Sequence, residues 1–369
     1  MLPRDKQAGP IRVLVVDDSA VVRQVLEGVL SQEHDISVMV AADPLIALQK
    51  MSRVRPDVIV LDLEMPRMDG LTFLRKIMAE EPIPTVICSG IAARGTDAAL
   101  RALDEGAVGI ITKPKLGVRS FLYESALVLT DIVRSAAGAR IQRRFPSVSQ
   151  ERERTPARVG RSARRIFADR LVAIGASTGG TEALAQILGA MPADCPAILA
   201  VQHMPEVFTA AFAERLNRIC QIEVKEAQHG DHICPGKALI APGNHHMSVR
   251  RRGPHSFVEI ENGPLVSRHR PSVDVLFRSV AKSEGMNALG IILTGMGNDG
   301  AQGLLEMKKA GAETVAQDEA TCVVFGMPKE AIACGAVDTI LPLSKIPEKI
   351  LQNGCDKPDF SFSRQGDRV

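Results

Sequence analysis

The stretch RLVAIGASTGGTEALAQIL, residues 170–188, decides how the larger part of this chain folds. An apolar run from Leu171 to Ile174 leads into the small residues Gly175 to Gly180, and after them Ala183, Leu184, Ile187 and Leu188 recur at helical spacing. This pattern predicts a buried strand, a tight turn and a helix. Gly175, Ser177 and Gly179 match the G-x-S-x-G pattern, in which small neighbours let the chain turn sharply and expose a hydroxyl. The helix start adds free N–H groups and a positive dipole end, both suited to a developing oxyanion. The same glycines could cradle a dinucleotide phosphate, although the row reads GxxxGG and not GxGxxG. At the level of this turn, a hydrolase and a phosphate cradle are equal readings.

Further apolar runs surround this unit: CPAILAVQH, KALIAP, LGIILTG and TVAQ, with a hairpin-like MSVRRRGPHSFVEI at 247–260. Strands alternating with helical stretches predict an α/β domain with a mostly parallel sheet, mixed where the hairpin joins it. A serine nucleophile needs a base, and CPAILAVQ ends at His203; Asp299 follows LGIILTGMGN and could orient that base. Alone, His203 reads equally as a base or as a satisfied, partly buried histidine, and Asp299 reads as a turn residue. Three strand ends bearing Ser, His and Asp point jointly to a triad. The chain order Ser, His, Asp differs from that of the α/β hydrolases, chymotrypsin and subtilisin.

Towards the N-terminus, IRVLVV, ISVMVAA, PDVIVLDL, PTVICSG and VGIITKP alternate with amphipathic segments. They predict a doubly wound, five-stranded parallel domain of the flavodoxin-like kind, with its site at the carboxyl strand ends. Asp17 and Asp18 follow the first run, Asp62 the third, Ser89 the fourth and Lys113 the fifth. Three carboxylates at one sheet edge repel one another unless a cation joins them, and hard oxygen donors suit Mg²⁺. Singly, each acid reads as a helix cap or loop residue ahead of a metal ligand.

The chain has 369 residues and a net charge of +2, which divides into −3 over residues 1–133, +8 over 134–170 and −3 over 171–369. The middle segment carries eleven Arg and little apolar surface, so it reads as a linker that cannot bury enough to offset its ordering entropy. A basic arm for nucleic acid is the competing reading. Eleven Phe, one Tyr and no Trp leave little for base-stacking platforms. Seven scattered cysteines without a CxxC pair predict reduced thiols. The N-terminal MLPRDKQAG lacks an apolar signal core and no run is long enough to span a bilayer, so the expectation is a soluble cytoplasmic protein without membrane insertion.

VVDDSA, LDLEMPRMDG, Ser89 and TKP stand in the order and spacing of a response-regulator receiver domain, which residues 10–133 resemble. The resemblance implies Asp62 as phospho-acceptor, Asp17 and Asp18 as Mg²⁺ ligands with Asp62 and a backbone carbonyl near Glu64, and Lys113 and Ser89 as the residues that sense the phosphoryl group. Where that family often carries a switching aromatic, this chain has Ile110. GASTGG, QHMP, APGNHHM, RPSVDVLF and TGMGNDG resemble the catalytic domain of chemotaxis methylesterases, the CheB family, over residues 168–353. A linker at 134–167 and a polar tail at 354–369 complete the expected organisation.

That resemblance implies a phosphorylation-activated hydrolase of glutamate γ-methyl esters on chemoreceptors, releasing methanol and deamidating particular glutamines. Ser177 would be the nucleophile, His203 the base and Asp299 its orienter, with the backbone N–H groups of Thr178 and Met296 as oxyanion donors and no metal in the esterase reaction. The implied partners are methyl-accepting chemoreceptors as substrate and a chemotaxis-type histidine kinase as phosphodonor, with no nucleic acid. His246, Arg268, Arg270 and Ser272 are expected at the rim of the site, whereas His229 and His232, an H-x-x-H pair, read as loop residues ahead of metal ligands. Competing outputs are a DNA-binding or a nucleotide-binding domain behind the receiver.

Overall fold

The computed structural model describes residues 9–90, 93–113, 119–141 and 170–352. The first domain runs β1 (Ile11–Val16), α1 (Ala20–Leu30), β2 (Ile36–Ala41), α2 (Pro44–Met51), β3 (Val58–Leu61), α3 (Gly70–Glu80), β4 (Thr85–Ser89), α4 (Ala93–Asp104), β5 (Gly109–Thr112) and α5 (Arg119–Ala137). Its strands pair in the parallel order β2-β1-β3-β4-β5. Both faces of this sheet are covered, which is why Val13, Leu14, Val15 and Val16 are all buried. Ser19, Asp43 and Asp69 cap α1, α2 and α3, each accepting a hydrogen bond from the backbone N–H three residues on. Helix α5 continues to Ala137, past the expected domain end at 133. The remainder of the arginine-rich linker from 142 onward, and the tail at 354–369, lie outside the described residues.

The second domain runs β6 (Leu171–Ala176), α6 (Gly180–Gly189), β7 (Ala197–Gln202), α7 (Glu206–Ile219), β8 (Glu223–Glu226), β9 (Lys237–Ile240), β10 (His246–Arg252), β11 (His255–Glu261), α8 (Val273–Ser283), β12 (Ala288–Ile292), α9 (Ala301–Lys309), β13 (Glu313–Gln317), α10 (Met327–Ala333), β14 (Thr339–Leu341) and α11 (Ile346–Leu351). Its seven-stranded sheet has the order β14-β13-β12-β6-β7-β9-β8. Every pairing in it is parallel.

The hairpin expected to mix into this sheet instead stands apart as the two-stranded ribbon β10-β11. The reason lies in which of its residues are buried. Met247, Val249 and Val258 are buried, whereas Arg250, Arg251 and Arg252 face solvent. The backbone N–H of Val249 donates to Ser279 Oγ of α8 and the Ser283 hydroxyl donates back to Val249 O, so the ribbon docks on a helix.

Strand order reverses around β6, which lies between β12 and β7. A crevice opens beyond the carboxyl ends of strands at such a point. The residues following these three neighbouring strands carry Ser177, His203 and Asp299.

Candidate functional site

In the first domain, Asp17 and Asp62 are buried and Asp18 is exposed, and oxygens of the three carboxylates lie within 4.8 Å of one another. Lys113 Nζ is 2.8 Å from Asp62 Oδ2 and 3.1 Å from Asp17 Oδ2. Neither of these two oxygens accepts a further hydrogen bond. Burial pushes the Asp62 carboxyl up to about 6; Lys113 works against this and the neighbouring Asp17 charge adds to it. Burial opposes the Lys113 charge as well, but its bonds to both carboxylates leave its pKa above the ordinary lysine value. Clustered, under-bonded hard oxygens fit a divalent cation such as Mg²⁺. The Glu64 backbone N–H donates to Asp62 Oδ1 at 3.3 Å, and Ser89 closes β4 beside the cluster, buried, with its hydroxyl donating to Gly90 O. Ile110 is buried in β5 and lines the cleft between the two domains.

In the second domain, Ser177 follows β6 directly. Gly179 caps α6 at φ 78°, a left-handed conformation, and a Cβ there would meet the Val323 side chain at 2.6 Å. A Cβ on Gly180 would come within 2.2 Å of Gln202 Oε1. The sharp turn thus depends on both glycines. It is tied to its surroundings by Ser177 N–H donating to Thr294 O at 3.0 Å and by Thr294 Oγ1 donating to Thr178 O at 2.9 Å. Gln202 Nε2 donates to both Ser177 O and His203 O, fixing the ends of β6 and β7 against each other.

His203 Nε2 lies 2.8 Å from Asp299 Oδ2, whereas its Nδ1 is buried without a partner. Asp299 is buried and held on four sides. Its Oδ2 also accepts from Val273 N–H at 2.7 Å, and Oδ1 accepts from Ser272 Oγ at 2.7 Å and from Asp274 N–H at 3.1 Å. The start of α8 therefore points its N–H groups and dipole at this carboxylate. Burial alone would raise the Asp299 pKa, but the His203 bond and then the Ser272 and Val273 donors hold it below the usual carboxylate range. The backbone N–H groups of Thr178 and Met296 donate to no acceptor among the described residues. Ser177, His203 and Met296 line one cleft of about 900 Å³.

Sequence reasoning placed several neighbours incorrectly or not at all. Ser272, expected at the rim, is fully buried against Asp299. His246 is buried too: its Nδ1 accepts from Ser272 N–H at 3.2 Å and its Nε2 pairs with Pro264 O at 2.9 Å. Arg268 and Arg270 do line the cleft; Arg270 donates to Asn244 Oδ1 and Gly263 O. His269, unremarked in the sequence, stacks on His203 with ring centroids 3.7 Å apart and planes 12° from parallel. The His229 ring nitrogen accepts from Ile260 N–H and His232 packs on Phe257, and neither belongs to a group of three potential metal ligands among the described residues.

The first domain lies over this turn. Ser135 Oγ of α5 donates to Thr178 Oγ1 at 2.7 Å, Gly179 N–H donates to Val108 O at 3.3 Å, and Arg140 N–H to Val323 O at 2.8 Å. Arg268 pairs with Asp131 of α5 at 3.5 Å, and Arg215 with Asp104.

An acid-lined, doubly wound domain seated on a parallel α/β domain with Ser, His and Asp at adjoining strand ends defines a response regulator with a hydrolase as its output. Residues 13–118 match the family model of the response regulator receiver domain, and residues 172–350 match that of the CheB methylesterase. The chain is 56% identical over 351 residues to protein-glutamate methylesterase/protein-glutamine glutaminase 5 of Anaeromyxobacter dehalogenans, covering 94% of this chain and 97% of the relative. It is 57% identical over 349 residues to a protein of the same description from Xanthomonas campestris, covering 92% and 99%. Among solved structures, the Thermotoga maritima CheB methylesterase catalytic domain is 39% identical, covering 49% of this chain and 97% of that one, with a TM-score of 0.48. The chain belongs to the CheB methylesterase family, with a receiver domain in front of the catalytic one. DNA-binding and nucleotide-binding outputs find no support in these matches.

Proposed function

We propose that this chain hydrolyses γ-methyl esters of receptor glutamates to glutamate and methanol, deamidates receptor glutamines, and is activated by phosphorylation of Asp62. The observation that carries the catalytic half is the His203–Asp299 pair. It leaves one buried imidazole nitrogen, Nδ1, unpartnered beside a cleft that Ser177 also lines. Asp299 fixes the tautomer with hydrogen on Nε2, so Nδ1 is the basic atom. Ser177 Oγ attacks the ester carbonyl as His203 Nδ1 takes its proton, and the same nitrogen passes that proton to the departing methoxide, which leaves as methanol, or, when the substrate is an amide, to the departing amide nitrogen, which leaves as ammonia. The free N–H groups of Thr178 and Met296 stabilise the oxyanion; a single such donor is typically worth ~3–4 kcal/mol. Water then releases the acyl group by the same path in reverse.

The receiver supplies the control. Asp62 accepts a phosphoryl group from a histidine kinase. Asp17, Asp18 and Asp62 would hold Mg²⁺, which would supply charge to neutralise the phosphoryl oxygens. A phosphoryl group adds roughly −1.5 to −2 charge beside Lys113 and Ser89, which re-sorts the ion pairs at the ends of β4 and β5. Val108 directly precedes β5 and Ser135 lies on the helix that follows, and both bond to the nucleophile turn. Movement there loosens the cover over Ser177. The six described cysteines are unpaired, in keeping with a cytoplasmic site of action. The test is methanol release from methyl-esterified receptor by wild type and Ser177→Ala: the variant should lose ~10⁴-fold or more in kcat while keeping its melting curve. Wild-type turnover in the folded variant would refute the assignment.

A further inference from the structure

We infer that His269 is a positioning residue for His203, a ring that holds the base in its working plane by face-to-face contact. The inference rests on the reading of His203 as the base. One ring hydrogen bond, Nε2 to Asp299, leaves an imidazole free to rock about that bond, and Nδ1 has no second partner to stop it. Across the face of this imidazole lies the His269 ring, 3.7 Å away and 12° from parallel. Parallel rings cannot exchange a proton, because the lone pairs of both lie in their ring planes. His269 therefore acts as a wall and not as a relay.

The local backbone is built for this placement. Val266 and His269 exchange backbone hydrogen bonds at 3.1 and 2.9 Å, closing a two-residue turn. Ser267 and Arg268 at its centre sit at φ 51° and 66°, the left-handed region that favours glycine. Neither is glycine, so the conformation is imposed by the surroundings, and its product is the stacked ring. The charged groups around it are Asp299 from the β12 loop, Arg268 of the same turn and Asp131 from α5 opposite. Burial, the His203 charge and Arg268 all disfavour a proton on His269, with only Asp299 favouring one, and its pKa falls to about 3. A neutral ring can face the imidazolium that forms on His203 without repulsion, offering its π face instead.

The test compares His269→Phe, which keeps a flat neutral face, with His269→Leu, which fills the space without one, in the full chain treated with phosphodonor. His269→Phe should stay within threefold of wild type in kcat, whereas His269→Leu should fall at least tenfold at unchanged KM. A second readout does not depend on turnover. The downfield Nε2–H proton resonance of His203, sharp in wild type and His269→Phe, should broaden or vanish in His269→Leu. Equal kcat in all three proteins, a change confined to KM, or a sharp His203 resonance in folded His269→Leu would overturn the inference. A wild-type protein that shows the resonance but releases no methanol would instead strike the proposed activity.

Discussion

Replacing Asp299 with Asn removes a charge while keeping the shape of the side chain, and the bonds around it determine the size of the effect. The new amide has one oxygen and one NH₂. At the Oδ2 position, the NH₂ would face the Val273 N–H at 2.7 Å and would also force His203 to present Nε2 as an acceptor. At the Oδ1 position it faces Asp274 N–H at the longer 3.1 Å and Ser272 Oγ, which can rotate to accept. The second arrangement costs less, so the productive tautomer survives and the loss is mainly that of the charge opposite the imidazolium. Two unit charges about 4 Å apart at an effective dielectric of about 20 interact by ~4 kcal/mol, which is ~10³-fold in rate. The measurement is kcat for methanol release by phosphodonor-treated protein, with and without the substitution, between pH 5 and 9. A loss below tenfold would refute the view that Asp299 acts through its charge on His203.

Other expectations follow from the same structure. Ser135→Ala combined with Asp131→Asn should raise basal methanol release by roughly five- to thirtyfold without phosphodonor, because one hydrogen bond and one exposed ion pair together contribute about 1–2 kcal/mol; unchanged basal activity would deny these contacts a part in the cover. Gly179→Ala meets both a left-handed φ and the Val323 side chain, and should cost ~1–3 kcal/mol in urea melts along with most of the activity. His269 is held neutral well below the pKa of an unfolded histidine, so between about pH 6.5 and 3 the unfolded chain binds the extra proton. Its contribution is therefore complete above that window and lost as pH falls through it. His269→Phe should flatten the acidic decline of melting temperature.

How much of this was legible in the sequence depended on range. Ser177 and His203 each directly follow a long, fully buried apolar strand, and Asp299 follows another after a short glycine-rich loop. Local periodicity therefore located all three. The acids of the receiver were legible for the same reason. Ser272 and His246 were not, because their roles arise where the start of α8 meets a loop 27 residues later in the chain and a strand 26 residues earlier. No local pattern encodes such a contact. His269 stood in plain view within SRHRPSVD, and the unusual pair of flanking arginines was its only signal. Strands β8, with the sequence EVKE, and β14, only three residues long, escaped notice because sheet edges are short and charged. The hairpin looked like part of the sheet since alternation fixes which face is buried but not which neighbour buries it.

Phosphorylation at one strand-end cluster and hydrolysis at the other can be read in one measurement. Methanol release from membranes bearing methylated chemoreceptors should be recorded for the full chain with Mg²⁺, before and after adding a small phosphodonor, alongside Asp62→Asn. Slow release should rise at least tenfold on addition of the donor, with no rise for Asp62→Asn. Release that is the same with and without donor, while mass spectrometry shows Asp62 phosphorylated, would contradict it.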